Sequence, residues 1–83
     1  MKISIHPHAA QRMEERGASL QDVIDTIKEG ESFPAKFNRT GFRRNFLFDN
    51  YFRGKHYYTK QMEVFAVKEE QDWLVITVIT RFF

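Results

Sequence analysis

The sequence predicts an α+β fold, with two N-terminal helices packed on a twisted, mainly antiparallel sheet of about four strands. Three observations support this prediction. Apolar residues recur at helical spacing between residues 20 and 27, strand-forming residues dominate after residue 41, and glycine or polar turns separate the segments. The 83 residues are enough for one domain, so we expect a single domain over residues 1–83.

Local signals place the first strand and the first helix. Residues 2–6 alternate, with two isoleucines on one side, which predicts a short strand. Pro7 suits the first position of a helix, because the N–H that proline lacks would have no partner there. We expect this helix to end near Arg16, with Gly17 as its left-handed cap.

A second helix is predicted between Ser19 and Gly30. Ser19 and Asp22 form a Ser-x-x-Asp signal, which is typical of a helix N-terminus. The expected apolar stripe of this helix consists of Leu20, Val23, Ile24 and Ile27.

The rest of the chain predicts strands. There is room for a short strand between Pro34 and Gly41, and longer strands are expected over residues 42–52, 56–68 and 73–83. The last strand is apolar on both faces, which predicts a central strand covered on both sides. We expect it to pack against the second helix through four largely buried side chains, Trp73, Val75, Ile76 and Val78.

Composition excludes several classes of site. The chain contains no cysteine, so it has no disulfide, no thiolate metal site and no cysteine nucleophile. A small domain without disulfides fits a reducing compartment. No N-terminal run resembles a signal peptide, and no apolar stretch reaches the ~18 residues that a membrane-spanning helix needs. We therefore expect a cytoplasmic protein with no membrane partner.

Positive charge is concentrated in the middle of the chain. The formal net charge is +2, but residues 33–60 hold seven basic residues and one acidic residue, a local charge of +6, together with nine of the aromatic residues. Such a mixture is typical of nucleic-acid surfaces. The alternative, that these charges keep strand edges from pairing, stays open. The candidate nucleic-acid contacts are Arg39, Arg43, Arg44, Arg53, Lys55, His56 and Tyr58.

The first helix carries a candidate for chemistry. His8, Arg12 and Arg16 are spaced four residues apart, so they form one polar row on a helix. Arginine offers forked donors to phosphate oxygens, and histidine exchanges a proton near neutral pH. The combination suits metal-free RNA cleavage, in which the ribose 2′-hydroxyl attacks the adjacent phosphate. The alternative is an ordinary solvated helix face.

The histidines do not predict a metal site. His6 and His8 are two residues apart, but no third ligand accompanies them, and His56 is the one other histidine. We expect no metal and no cofactor.

Residues 8–19 resemble a motif of an uncharacterised prokaryotic domain family, His-x-x-x-Arg-Met-x-x-Arg-Gly. In this chain they are His-Ala-Ala-Gln-Arg-Met-Glu-Glu-Arg-Gly-Ala-Ser, and Asp22 and Val23 follow them. Residues 72–80 resemble its closing strand. Ala18 stands where that family tends to carry isoleucine, a change that weakens a packing contact and leaves the polar row intact. The family is similar to the RelE/ParE-like toxins and to the ribonuclease fold shared by barnase, EndoU and colicin nuclease domains.

This resemblance implies a RelE-like fold and a metal-independent endoribonuclease that acts on RNA, with an antitoxin or immunity protein as a partner. It implies catalytic roles for His8, Arg12 and Arg16. It also implies a role for Thr77 in the closing strand, with Thr80 as the second choice.

Two other functions stay open from the sequence. One is a non-enzymatic module that binds nucleic acid or protein on the same fold. The other is a protein-interaction domain in which the aromatic middle segment docks a partner.

Overall fold

The computed structural model describes residues 1–83 as two helices packed on one face of a five-stranded sheet. In chain order the elements are β1 (Ile3–Ile5), α1 (Pro7–Glu15), α2 (Leu20–Glu29), β2 (Glu31–Pro34), β3 (Thr40–Phe52), β4 (Lys55–Glu69) and β5 (Asp72–Phe82). The strand order across the sheet is β1-β5-β4-β3-β2. The α+β class is confirmed, and neither helix is long and apolar enough to cross a membrane.

The sheet differs from the prediction in strand number and direction. It has five strands rather than about four, and it is mixed because β1 runs parallel to β5. The short strand β2 ends at Pro34, whereas the candidate strand from the sequence lies between Pro34 and Gly41. Proline lacks the N–H that a central strand needs, but an edge strand tolerates it.

Helix α1 begins and ends where its sequence predicts. His6 is the N-cap, and its ring Nδ1 accepts a hydrogen bond from the N–H of His8 at 3.1 Å. Gly17 has a φ of 66°, in the left-handed region, and a Cβ there would lie 2.8 Å from the ring of Phe52. Glycine at position 17 therefore ends the helix and also allows the end of β3 to approach it closely.

Helix α2 begins in a complete capping box between Ser19 and Asp22. The Asp22 carboxylate also accepts a hydrogen bond at 2.7 Å from the buried ammonium of Lys60 on β4, which donates a second bond to the carbonyl of Gly17. Partial burial raises the pKa of Asp22, but the hydrogen bonds from Lys60 and Ser19 outweigh it, and the net pKa lies below its ordinary value. Lys60 thus ties the turn between the helices to the sheet.

The buried face of α2 is only partly the predicted one. Its buried residues are Val23, Thr26 and Ile27, whereas Leu20 is exposed and Ile24 is half-buried. Thr26 fits in the core because its hydroxyl donates to the carbonyl one turn earlier.

The core lies between the helices and the three long strands. Met62, Val64 and Ala66 alternate along β4 and are fully buried, as a period of two requires. Phe65 and Val67 point to the opposite face, which carries no helix, and are half-buried. We call this opposite side the open face of the sheet.

A β-bulge in β5 changes which of its residues are buried. Val75 and Val78 are both fully buried although three positions separate them, because the pairing of β5 with β4 skips Ile76. Trp73 is partly buried and packs against the core, with its ring edge-on to that of Phe42. Ile76 is also partly buried but lies outside the core cluster, so the prediction that Ile76 is a core residue is wrong. β5 lies between β1 and β4, but β1 pairs only with residues 73–75 of this strand, and helices cover only one of its faces. The prediction of a central strand covered on both sides is therefore wrong.

The open face contains a buried carboxylate. Glu63 on β4 accepts hydrogen bonds from Arg43 at 2.7 Å and from Arg81 at 2.5 Å. The hydrogen bond from Arg81, together with that from Arg43, outweighs the effect of burial and lowers the pKa of Glu63 below its ordinary value. These bonds link β3, β4 and β5 on the side that lacks helices.

Met62→Ala should lower the free energy of unfolding by about 2–5 kcal/mol, because it opens a cavity at a fully buried position. Ile76→Ala is the matched control, and its loss should be smaller because Ile76 is half-buried and lies outside the core cluster. Urea unfolding of both variants measures the difference. A larger loss for Ile76→Ala would contradict the described core.

Acid should weaken the fold through Asp22 and Glu63. Their lowered pKa values mean that the unfolded chain binds more protons than the folded chain below the ordinary carboxyl pKa of ~4. The stabilisation from these groups is complete above this value and is lost as the pH falls through the lowered pKa values. In urea unfolding, the stability gap between the parent protein and Glu63→Gln should narrow from pH 7 to pH 3. A difference in unfolding free energy that does not change with pH would contradict the lowered pKa of Glu63.

Candidate functional site

The end of α1 is held against β5 by two hydrogen bonds. Arg16, the C-cap of the helix, donates from its guanidinium to the carbonyl of Val78 at 2.5 Å. The hydroxyl of Thr80 donates in turn to the carbonyl of Arg16 at 2.8 Å. Val78 and Thr80 both lie on the helix side of β5, so the Arg16 side chain is positioned at the surface where α1 meets the sheet.

A cleft of about 290 Å³ opens at this junction. We call it the terminal cleft, and the residues that line it are Glu15, Arg16, Phe52, Arg53 and Thr80. Arg53 begins the turn between β3 and β4, and its guanidinium donates to the carbonyl of Glu15 at 2.6 Å while lying over the ring of Phe52. The cleft therefore brings together two guanidinium groups, a carboxylate and a hydroxyl.

Neither of the two arginines in the terminal cleft forms an ion pair with a carboxylate. Arg16 and Arg53 each donate to a neutral backbone carbonyl, and neither forms a salt bridge. Two other arginines of the sheet behave differently: Arg43 pairs with Glu63 on the open face, and Arg44 pairs with two acids of α2. The terminal cleft thus contains two guanidinium groups that no carboxylate pairs with.

The predicted row of His8, Arg12 and Arg16 does not converge on one site. Arg16 lines the cleft, but Arg12 forms an ion pair with Glu15 at 3.3 Å and is not a lining residue. His8 is exposed on the first turn of α1, and eight residues of helix span about 12 Å. His8 is therefore not among the residues that line the cleft.

Thr77 lies on the open face, away from both helices. It pairs with Phe65 across the strands and directly precedes Val78, which points into the core. Of the two candidate threonines, Thr77 is therefore the one that points away from the helices, because the bulge at Ile76 sets the alternation of the strand that follows. Thr80, the second choice, is the threonine that contacts α1.

The other predicted nucleic-acid contacts are spread over several surfaces rather than one. Arg39 lies over the ring of Phe37 in a separate groove of about 360 Å³ before β3. Lys55 lies over Tyr57 beside the hairpin turn. His56 and Tyr58 share a side, where the two rings are 4.7 Å apart, as the strand alternation predicts.

Glu15 and Phe52 are site residues that the sequence analysis missed. The sequence does indicate the contact of Glu15 with Arg12, since Glu15 follows Arg12 by three residues, the spacing of a helical ion pair. No sequence pattern indicates that Phe52 lines the cleft, because its position depends on the contact between the β3–β4 hairpin and Gly17. No three His, Cys, Asp or Glu side chains come together in an arrangement that could hold a metal ion.

The comparison with known families gives one match. Residues 5–80 match DUF4258, which is described as a domain of unknown function. No curated protein and no solved structure matches the chain. Since the match extends over nearly the whole sequence, this protein is a member of the DUF4258 family.

Proposed function

We propose that this protein is a metal-independent endoribonuclease of the RelE-like kind that binds the RNA backbone in the terminal cleft. One observation carries the proposal: the guanidinium groups of Arg16 and Arg53 meet in one cleft and are held by backbone carbonyls rather than by carboxylates. A phosphodiester is the anion that two such groups bind well, because each presents forked donors to phosphate oxygens.

The terminal cleft also contains a group that can accept a proton. In the proposed step the Glu15 carboxylate takes the proton of the ribose 2′-hydroxyl, and the 2′-oxygen bonds to phosphorus. The bond from phosphorus to the 5′-oxygen breaks, and this oxygen takes a proton from water. The hydroxide that this leaves takes the proton from Glu15, which returns the carboxylate to its starting state. Arg16 and Arg53 stabilise the negative charge that develops on the phosphate. The products are a 2′,3′-cyclic phosphate and a free 5′-hydroxyl.

His8 stays the second candidate for proton transfer, as the helix row predicts. It would act only on RNA that extends from the cleft along α1, because it does not line the cleft itself. This separation also favours a second candidate function, a module that binds RNA without cleaving it. A partner antitoxin or immunity protein stays a prediction.

We expect the purified protein to cleave total RNA in the presence of EDTA. Glu15→Gln should slow cleavage by about 10²–10⁴-fold and leave RNA binding nearly intact, as expected for a general base. Arg53→Ala should lower both affinity and rate, because a phosphate contact acts in the ground state and in the transition state. Gel electrophoresis of the products and a gel shift measure the two effects.

Two variants serve as controls for this assay. Arg44→Ala removes an arginine of the same basic segment that is paired with α2, and it should leave cleavage unchanged. His8→Ala distinguishes the two proton acceptors, since a 10²–10⁴-fold loss there and not in Glu15→Gln would transfer the role to His8. His6→Ala is not a clean control, because His6 caps α1 next to His8. A gel shift without cleavage would favour the binding module, and the absence of both would refute the proposal.

A further inference from the structure

The tip of the β3–β4 hairpin extends the surface of the terminal cleft on the helix side of the sheet. Phe52 lines the cleft, and Lys55 is its partner across the two strands, so both side chains project from the same side of the hairpin. Tyr51 and His56, the next pair of the register, project from the other side. Lys55 is therefore a direct neighbour of the cleft.

A series of aromatic rings connects Lys55 with the cleft. The ring of Phe52 stacks on that of Phe82 at 4.2 Å, and the ring of Phe82 lies 5.6 Å from that of Tyr57. The ammonium of Lys55 lies 5.5 Å from the centre of the Tyr57 ring. At the other end of the series, the guanidinium of Arg53 lies 5.1 Å from the centre of the Phe52 ring. The rings thus form one continuous floor with a cation over each end.

No carboxylate neutralises the ammonium of Lys55. This residue forms no salt bridge, and an aromatic face attracts a cation without removing its charge. Asp49 is the one acidic residue between residues 46 and 60, and it contacts His56 on the opposite side of the hairpin. Lys55 therefore adds a third unpaired cation to Arg16 and Arg53 of the cleft.

We infer that Lys55 binds a second phosphate of the RNA, next to the phosphate in the terminal cleft. This inference rests on the proposed function, since it extends the same site along the RNA chain. Each nucleotide adds one negative charge, so a chain held in the cleft by Arg16 and Arg53 brings its next phosphate to the neighbouring surface. The ligand of the whole surface is thus an oligonucleotide with at least two phosphates rather than a dinucleotide with one.

NMR titration of the ¹⁵N-labelled protein with two RNA probes tests the inference. Both probes are 2′-O-methyl RNA without terminal phosphates, so neither can be cleaved. One is a dinucleotide with a single phosphodiester, and the other is an unstructured pentanucleotide with four.

Lys55→Gln should weaken pentanucleotide binding by about 2- to 5-fold, the effect of one exposed ion pair, and leave dinucleotide binding unchanged. For the pentanucleotide, the slope of log K against log salt concentration should also become shallower by about 0.7, because one phosphate contact fewer releases counterions. Lys55→Arg should bind both probes like the parent protein, because it keeps the charge.

Lys68→Gln is the matched control. The Lys68 ammonium lies 5.7 Å from the centre of the Trp73 ring and forms no salt bridge, but the residue is at the end of β4 opposite the hairpin turn. This variant should keep the affinity and the salt slope of the parent protein for both probes.

Three results would overturn the inference and leave the proposed function intact, provided that Arg53→Ala binds both probes weakly. They are parent-like pentanucleotide binding by Lys55→Gln, an equal loss of affinity for both probes in this variant, and an equal loss in Lys68→Gln. Parent-like binding of both probes by Arg53→Ala would refute the proposed function as well.

Discussion

The buried ammonium of Lys60 is the interaction on which the arrangement of this protein depends. Burying a lysine is unfavourable unless the charge is paired and hydrogen-bonded, and Asp22 and the carbonyl of Gly17 meet both needs. Because these two partners lie on either side of the turn between α1 and α2, one β4 side chain determines where both helices meet the sheet. The end of α1, and with it Arg16, is thereby placed against β5.

The tertiary contacts of the helices and the sheet determine which arginines pair with carboxylates and which do not. Arg43 and Arg44 lie side by side in sequence, yet each points to a different face of the sheet and forms ion pairs there. Arg16 and Arg53 come from distant parts of the chain and meet in one cleft, where backbone carbonyls hold them. The concentration of basic residues in the middle of the sequence is thus a poor guide to the surface potential, because pairing depends on tertiary contacts.

The sequence predicts features that depend on local chemistry, such as the Gly17 cap and the capping box of α2. It does not predict the bulge at Ile76, since no residue type there differs from those of a regular strand. That single skipped position explains why Thr80 rather than Thr77 faces the helices. The contact between Glu15 and Arg53 was equally inaccessible, because a hairpin 38 residues away supplies the guanidinium.

The central claim is that Arg16 and Arg53, and not the paired arginines, contact RNA phosphate. NMR of the ¹⁵N-labelled protein tests it most directly, by following the arginine Nε–Hε signals during titration with an unstructured 2′-O-methyl RNA, which lacks the attacking hydroxyl and is not cleaved. We predict that the signals of Arg16 and Arg53 shift with RNA concentration, while those of Arg43 and Arg44 stay in place. Shifts confined to Arg43 and Arg44 would contradict it and would place the RNA elsewhere on the sheet.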